Sequence, residues 1–219
     1  MTDAPTPVAE ILAALAYGER KAAERARSNI DLAPDGRTRS AQDGVATREQ
    51  RNFELIEARL AELTDPELEE RFRPFFDKFF ERTEPADWAE AMTWHYVGDA
   101  WVSDFADVLT PLLDPVSAEV IRRVLGDREG QESFALDELG RVMDGDPDSR
   151  EAIASYARRI VGEALTQTRK ALQETRVLSS LLGGFEEMEK RMVLDILEGH
   201  RIRLDRLGIE PVDEPEPAE

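Results

Sequence analysis

Five acidic side chains stand where apolar ones belong. Glu19 follows Leu15 by four residues and precedes Ala22 by three, so it shares their helix face. Glu49 lies on the stripe of Val45, Phe53 and Ile56, and Asn52, three residues on, faces the same way. Asp99 sits between Tyr96 and Val102 on a third stripe. Glu129 and Glu132 flank the inward face of a fourth, near Leu125, Leu136 and Leu139. An unpaired buried carboxylate is costly, and it shifts its pKa or finds a cation. Several at one level of a bundle repel one another, and a bound divalent or trivalent metal removes that conflict. The candidate metal ligands are therefore Glu19, Glu49, Asn52, Asp99, Glu129 and Glu132.

The elements that must position them read as helices throughout. Apolar residues recur at three- and four-residue spacing in six stretches. These are Val8 to Ala22, Val45 to Leu63, Trp88 to Leu109, Ile121 to Val142, Ile153 to Ala171 and Val193 to Leu207. Breakers fall between them: Pro34 and Gly36, then Pro66, Pro74 and Pro85, then Asp114-Pro115 with Ser117 as an alternative cap. Asp144 to Pro147 and Gly183-Gly184 supply the last two. No stretch alternates with period two, so no strand is expected. The segment Arg71 to Phe80 is rich in phenylalanine and reads as a cross-bundle connection whose rings cap the core. The domain prediction is one helical domain over 8–208. It is flanked by a disordered stretch, 1–7, and a Pro-rich acidic disordered tail, 209–219.

The spacing repeats. Thirty residues separate Glu19 from Glu49, and thirty separate Asp99 from Glu129. Each hairpin presents one acid on its first helix and an i, i+3 polar pair on its second, Glu49-x-x-Asn52 and Glu129-x-x-Glu132. That is the plan of a ferritin-like di-iron carboxylate bundle, in which each pair is Glu-x-x-His. The fold expected is an all-α, ferritin-like four-helix bundle extended by a further helical hairpin, about six helices in all. Three motifs carry a closer likeness: Ala14-Leu-Ala-Tyr-Gly-Glu19, Tyr96-Val-Gly-Asp99 and Ala157-Arg-Arg-Ile-Val-Gly-Glu-Ala-Leu165. They resemble actinobacterial ferritin-like proteins, a group similar to the MiaE-type tRNA 2-methylthio-isopentenyladenosine hydroxylase family. The resemblance covers about Ala9 to Leu207 and implies a non-haem di-iron centre that activates dioxygen on a modified tRNA. Against that pattern, Asn52 and Glu132 stand at the two histidine positions. Asn is a weak neutral ligand, and the remaining all-carboxylate set, Glu19, Glu49, Asp99, Glu129 and Glu132, is harder and suits Mn, Mg or Ca better than a redox-poised iron pair.

Two histidines remain to be placed. His95 precedes Asp99 by four residues and is either a replacement ligand or a core imidazole between Trp94 and Tyr96. His200 shares a face with Ile196 and Leu204, and with Glu163 it forms a polar pair or lines a pocket. Other chemistries are excluded. The chain has no cysteine, so a thiol nucleophile, a disulfide scaffold and a Cys-ligated metal are ruled out. Phosphate-binding glycine loops and the Gly-x-Ser-x-Gly elbow are missing. With 47 acidic and 28 basic residues, a net charge of −19 opposes nucleic acid binding, although the resemblance points to tRNA. No stretch is long and apolar enough for a membrane span or a signal peptide, which predicts a cytoplasmic protein. Two functions compete: a bundle with altered metal binding or a non-catalytic role, and a metal-dependent hydroxylase using Fe or Mn on tRNA or a small molecule. In the first, Trp101, Phe105 and the Phe72 to Phe80 segment offer an aromatic surface to a second copy or a protein partner.

Overall fold

A few capping side chains set where the helices begin. Thr6 accepts from the backbone N–H of Ala9, and Pro7 opens α1 (Pro7–Ser28). Asp35 and Thr38 cap each other reciprocally at the head of α2 (Gly36–Leu63). Asp114, rather than Ser117, caps α6 (Pro115–Gly126), accepting from the N–H groups of Val116 and Ser117. Between these lie α3 (Arg73–Arg82), α4 (Trp88–Thr93) and α5 (Asp99–Leu109), followed after α6 by α7 (Glu129–Gly145), α8 (Ser149–Thr175) and α9 (Glu186–Arg206). The structure is a computed structural model and describes residues 6–64, 66–126, 128–175 and 186–209. The expectations for residues 1–5, for 210–219 and for Gly183-Gly184 fall outside the described residues, whereas Thr6 and Pro7, expected to be disordered, cap and open α1. No strand occurs among the described residues.

Four helical rods form the bundle. α1 and α2 are joined by a short 3₁₀ turn and form the most extensive helix pairing among the described residues. The second hairpin pairs α4–α5 with α6–α7. α4 packs on α7, α6 on α2 and α5, and α5 returns against α1. The core runs through all four and includes fully buried Ile11, Leu12, Ile56, Leu60, Met92, Tyr96, Ile121 and Leu139. Of the added helices, α8 lies across α3 and α4, and α9 against α5.

Two local departures from regular helix matter for the interior. Trp94–Gly98 is a π-helical turn linking α4 to α5, and such turns mark functional sites often enough to warrant inspection. Gly98 makes it possible: a Cβ there would lie 3.1 Å from the Trp94 indole, which is itself completely buried. The second departure is the break between α6 and α7. The stripe read as one helix from Ile121 to Val142 is two, because the helix stops at Gly126 and restarts at Glu129.

The aromatic segment turns inward, as a connection that caps the core. Phe72, Phe75, Phe79 and Phe80 are buried, and Phe80 packs on Trp94 with ring centroids 5.1 Å apart. Trp101 is buried too. The expected exposed aromatic face is therefore largely absorbed into the core.

Candidate functional site

Helix periodicity turns Glu19, Glu49, Asn52 and Asp99 into the bundle interior, and the three acids lie close enough to act on one another. The exposures of the four are 2%, 2%, 1% and 7%. Glu19 comes from α1, Glu49 and Asn52 from successive turns of α2, and Asp99 from the first residue of α5. Burial pushes the Glu19 carboxyl well above its ordinary range. Arg128 opposes that shift, while Glu49 and Asp99 add to it. Burial also raises Asp99, and its hydrogen bond from His95 partly offsets this.

The cation among them is Arg128, a residue the sequence reading passed over. Its guanidinium forms an ion pair with Glu19 through Nη2, and Nη1 donates to the Asp99 carbonyl at 2.7 Å and to Ser103 Oγ. Burial weakens a guanidinium as a cation, but Glu19, Glu49 and Asp99 more than offset this and hold it protonated. Gln131, one turn on, donates from Nε2 to Asp99 Oδ2 at 2.7 Å. The inward i, i+3 pair of the fourth rod is thus Arg128-x-x-Gln131, one residue earlier than Glu129-x-x-Glu132. Arg128 and Gln131 continue the buried face of Ile121 and Val124 at three- and four-residue spacing, through to Ala135 and Leu139. That spacing is the signal that could have singled them out.

Glu132 consequently sits at the rim. It helps line a small cavity of about 30 Å³ with His95, Asp99, Arg128 and Gln131, but its carboxylate meets Arg206 at 3.2 Å. The side chain of Glu129 lies outside those described. Among the described residues, no three His, Asp or Glu side chains form a set that could hold a metal ion.

His95 is a core imidazole within the cluster. Its Nδ1 lies 2.9 Å from Asp99 Oδ2, and its Nε2 lies 2.9 Å from Gln42 Nε2. The Gln42 amide also donates to the Ala26 carbonyl at 2.8 Å, so its nitrogen faces the ring. His95 Nε2 is then the acceptor and Nδ1 carries the proton given to Asp99. Both ring nitrogens are engaged. Several other buried polar atoms have no protein partner: Glu19 Oε2, both amide atoms of Asn52, Gln42 Oε1, Gln131 Oε1 and Arg128 Nε. The 30 Å³ cavity beside Arg128 and Gln131 has room for a water molecule.

Glu163 and His200 do not pair. Glu163 forms an ion pair with Arg82 at 2.9 Å and meets Gln167 at 3.3 Å. His200 is half-buried on α9 near Arg203 and Asp104. Burial, with help from the Arg203 charge, pushes its pKa down to about 4. The reason for the separation is that α8 turns residue 163 toward α3.

A comparison with curated proteins gives no match. A family model described as a ferritin-like domain of actinomycetes matches residues 4–185, most of the chain. With the four-rod bundle and its inward acids, that match places the chain in the actinomycete ferritin-like domain family.

Proposed function

We propose that this chain is a metal-independent ferritin-like protein in which the Arg128 guanidinium serves as the cation of the carboxylate cluster, and that it works as a binding or scaffolding bundle, not an oxidoreductase. The observation that carries the reading is the position of Arg128. It is a permanently charged group, largely buried, engaged with Glu19 and close to Glu49 and Asp99. A guanidinium placed there answers the same electrostatic need as a divalent ion.

The donor set points the same way. A dinuclear iron centre of this fold draws a carboxylate from each of four rods and an imidazole from two of them. Here the fourth rod offers Arg128 and Gln131, the second offers Asn52 beside Glu49, and the lone pair of His95 Nε2 is taken by Gln42. Amides are weak neutral ligands, and a positive charge at the site opposes a second cation. These residues do not suit a di-iron pair, and we assign no oxygen chemistry to them. Hydroxylation of tRNA gains no support from a chain carrying −19 charge.

Metal analysis of protein purified without chelators, followed by anaerobic Fe(II) titration, tests this reading. Sub-stoichiometric metal and an unchanged melting temperature with Fe, Mn or Zn are expected. Binding of about two irons per chain, with a ligand-to-metal absorption band on oxygenation, would overturn it.

A further inference from the structure

A second interior feature lies on the opposite side of α5 from the cluster. Asp99 and Ser103 face Arg128, whereas Trp101, Val102 and Phe105 face a cavity of about 100 Å³ between α1, α3, α5 and α8. Aromatic rings from α3 and α5 form two of its walls. Ile11, Ala14 and Leu15 line it from α1, and the small residues Ala164 and Ala171 from α8. Interiors close-pack, so a void of this size with rigid aromatic walls is unusual. It is apolar over nearly its whole lining, and Gln167 and Thr168 are the only polar residues among those described around it.

A dry apolar cavity of roughly 150 Å³ in another protein binds benzene, which sets the scale. Ligand sites of this type pair an apolar body with a few polar groups that fix orientation. Gln167 and Thr168 sit together, one residue apart on α8, and Gln167 is buried with its amide nitrogen held toward Glu163.

We infer that this cavity is a binding site for a small neutral molecule carrying a ring-sized hydrocarbon group, whose one polar end meets Gln167 and Thr168. The site is separate from the carboxylate cluster, and the inference stands whether or not that cluster takes metal.

The full-length chain, titrated with n-butylbenzene and with benzyl alcohol, tests it by thermal shift and tryptophan fluorescence. At tenfold Kd, a rise in melting temperature of about 4 °C is expected. The fluorescence change should vanish in Trp101→Phe while the thermal shift persists. Ala164→Leu and, as a second filling variant, Ala14→Leu should keep or raise the unliganded melting temperature and weaken binding at least tenfold. Gln167→Leu should weaken benzyl alcohol and leave n-butylbenzene unchanged. Absence of any shift in the wild-type chain, or equal shifts in wild type and a folded filling variant, would overturn the inference. The wild-type titration is decisive even if both filling variants fail to fold.

Discussion

Replacing Arg128 with methionine removes the internal cation while keeping most of the side-chain volume. Three carboxylates then share an interior in which Glu19, Glu49 and Asp99 are 2%, 2% and 7% exposed. Breaking a buried ion pair by deleting one partner costs about 3–5 kcal/mol, chiefly because the other charge is left uncompensated. Here the donors to the Asp99 carbonyl and Ser103 Oγ disappear as well. For a domain of this length the loss corresponds to a fall in melting temperature of about 10 °C. Urea unfolding followed by circular dichroism at pH 7 measures it directly. The variant can relieve the conflict by protonation. Glu19 is already raised in the folded protein, and without its cation it rises further. An acid whose folded pKa lies above its unfolded value stabilises the fold when protonated, and that stability is lost as pH rises through the folded pKa. The variant should therefore recover much of its deficit near pH 5. Adding Glu19→Gln should restore stability at pH 7, with a coupling energy above about 1.5 kcal/mol. In the single variant Mn(II) should raise the melting temperature, while the wild type should not respond. A loss below about 1 kcal/mol at pH 7, with no change in pH dependence, would refute the charge-balancing role.

Asn52→Leu should stabilise the protein by about 1–2 kcal/mol in urea unfolding, because both amide atoms are buried without a protein partner; a loss instead would show that the amide holds something in place. Below pH 6.5 the wild type should weaken as the unfolded chain takes up a proton that buried His200, at about 4, does not; by the sign of that difference His200→Gln should flatten the stability profile between pH 4 and 6.5, by up to about 2 kcal/mol after allowing for its partial exposure. Gly98→Ala should cost about 1–2 kcal/mol net, since the new methyl meets the Trp94 indole at 3.1 Å and the usual gain in helix propensity offsets only part of the clash. A neutral or stabilising Gly98→Ala in thermal unfolding would show that the indole can move.

Much of the interior was legible from periodicity alone. Glu19, Glu49 and Asn52 belong to unbroken α-helices, in which spacing of three and four residues fixes the face, and Asp99 keeps its inward face although a π turn precedes it. The break at Asp114-Pro115 was equally local, since the Asp114 carboxylate accepts from the backbone N–H of Ser117 only three residues on. Reading failed in the choice of stripe on the fourth rod. Glu129 and Glu132 were placed on the line of Leu125 and Leu136, which are only partly buried, whereas the fully buried line is that of Ile121, Val124, Ala135 and Leu139. Arg128 and Gln131 lie on that line and reach Glu19 and Asp99.

Sequence by itself thus determined the helices, the bundle class and four of the polar residues at its centre, because those follow from short-range geometry repeated along the chain. Tertiary structure decided what balances them. The Arg128–Glu19 ion pair spans 109 residues, and the Gln42–His95 contact spans 53. Partners that far apart are chosen by how the rods pack, and no spacing rule reaches across the chain to name them. The apolar cavity is likewise a property of packing, since its lining comes from α1, α3, α5 and α8, which are far apart in the chain.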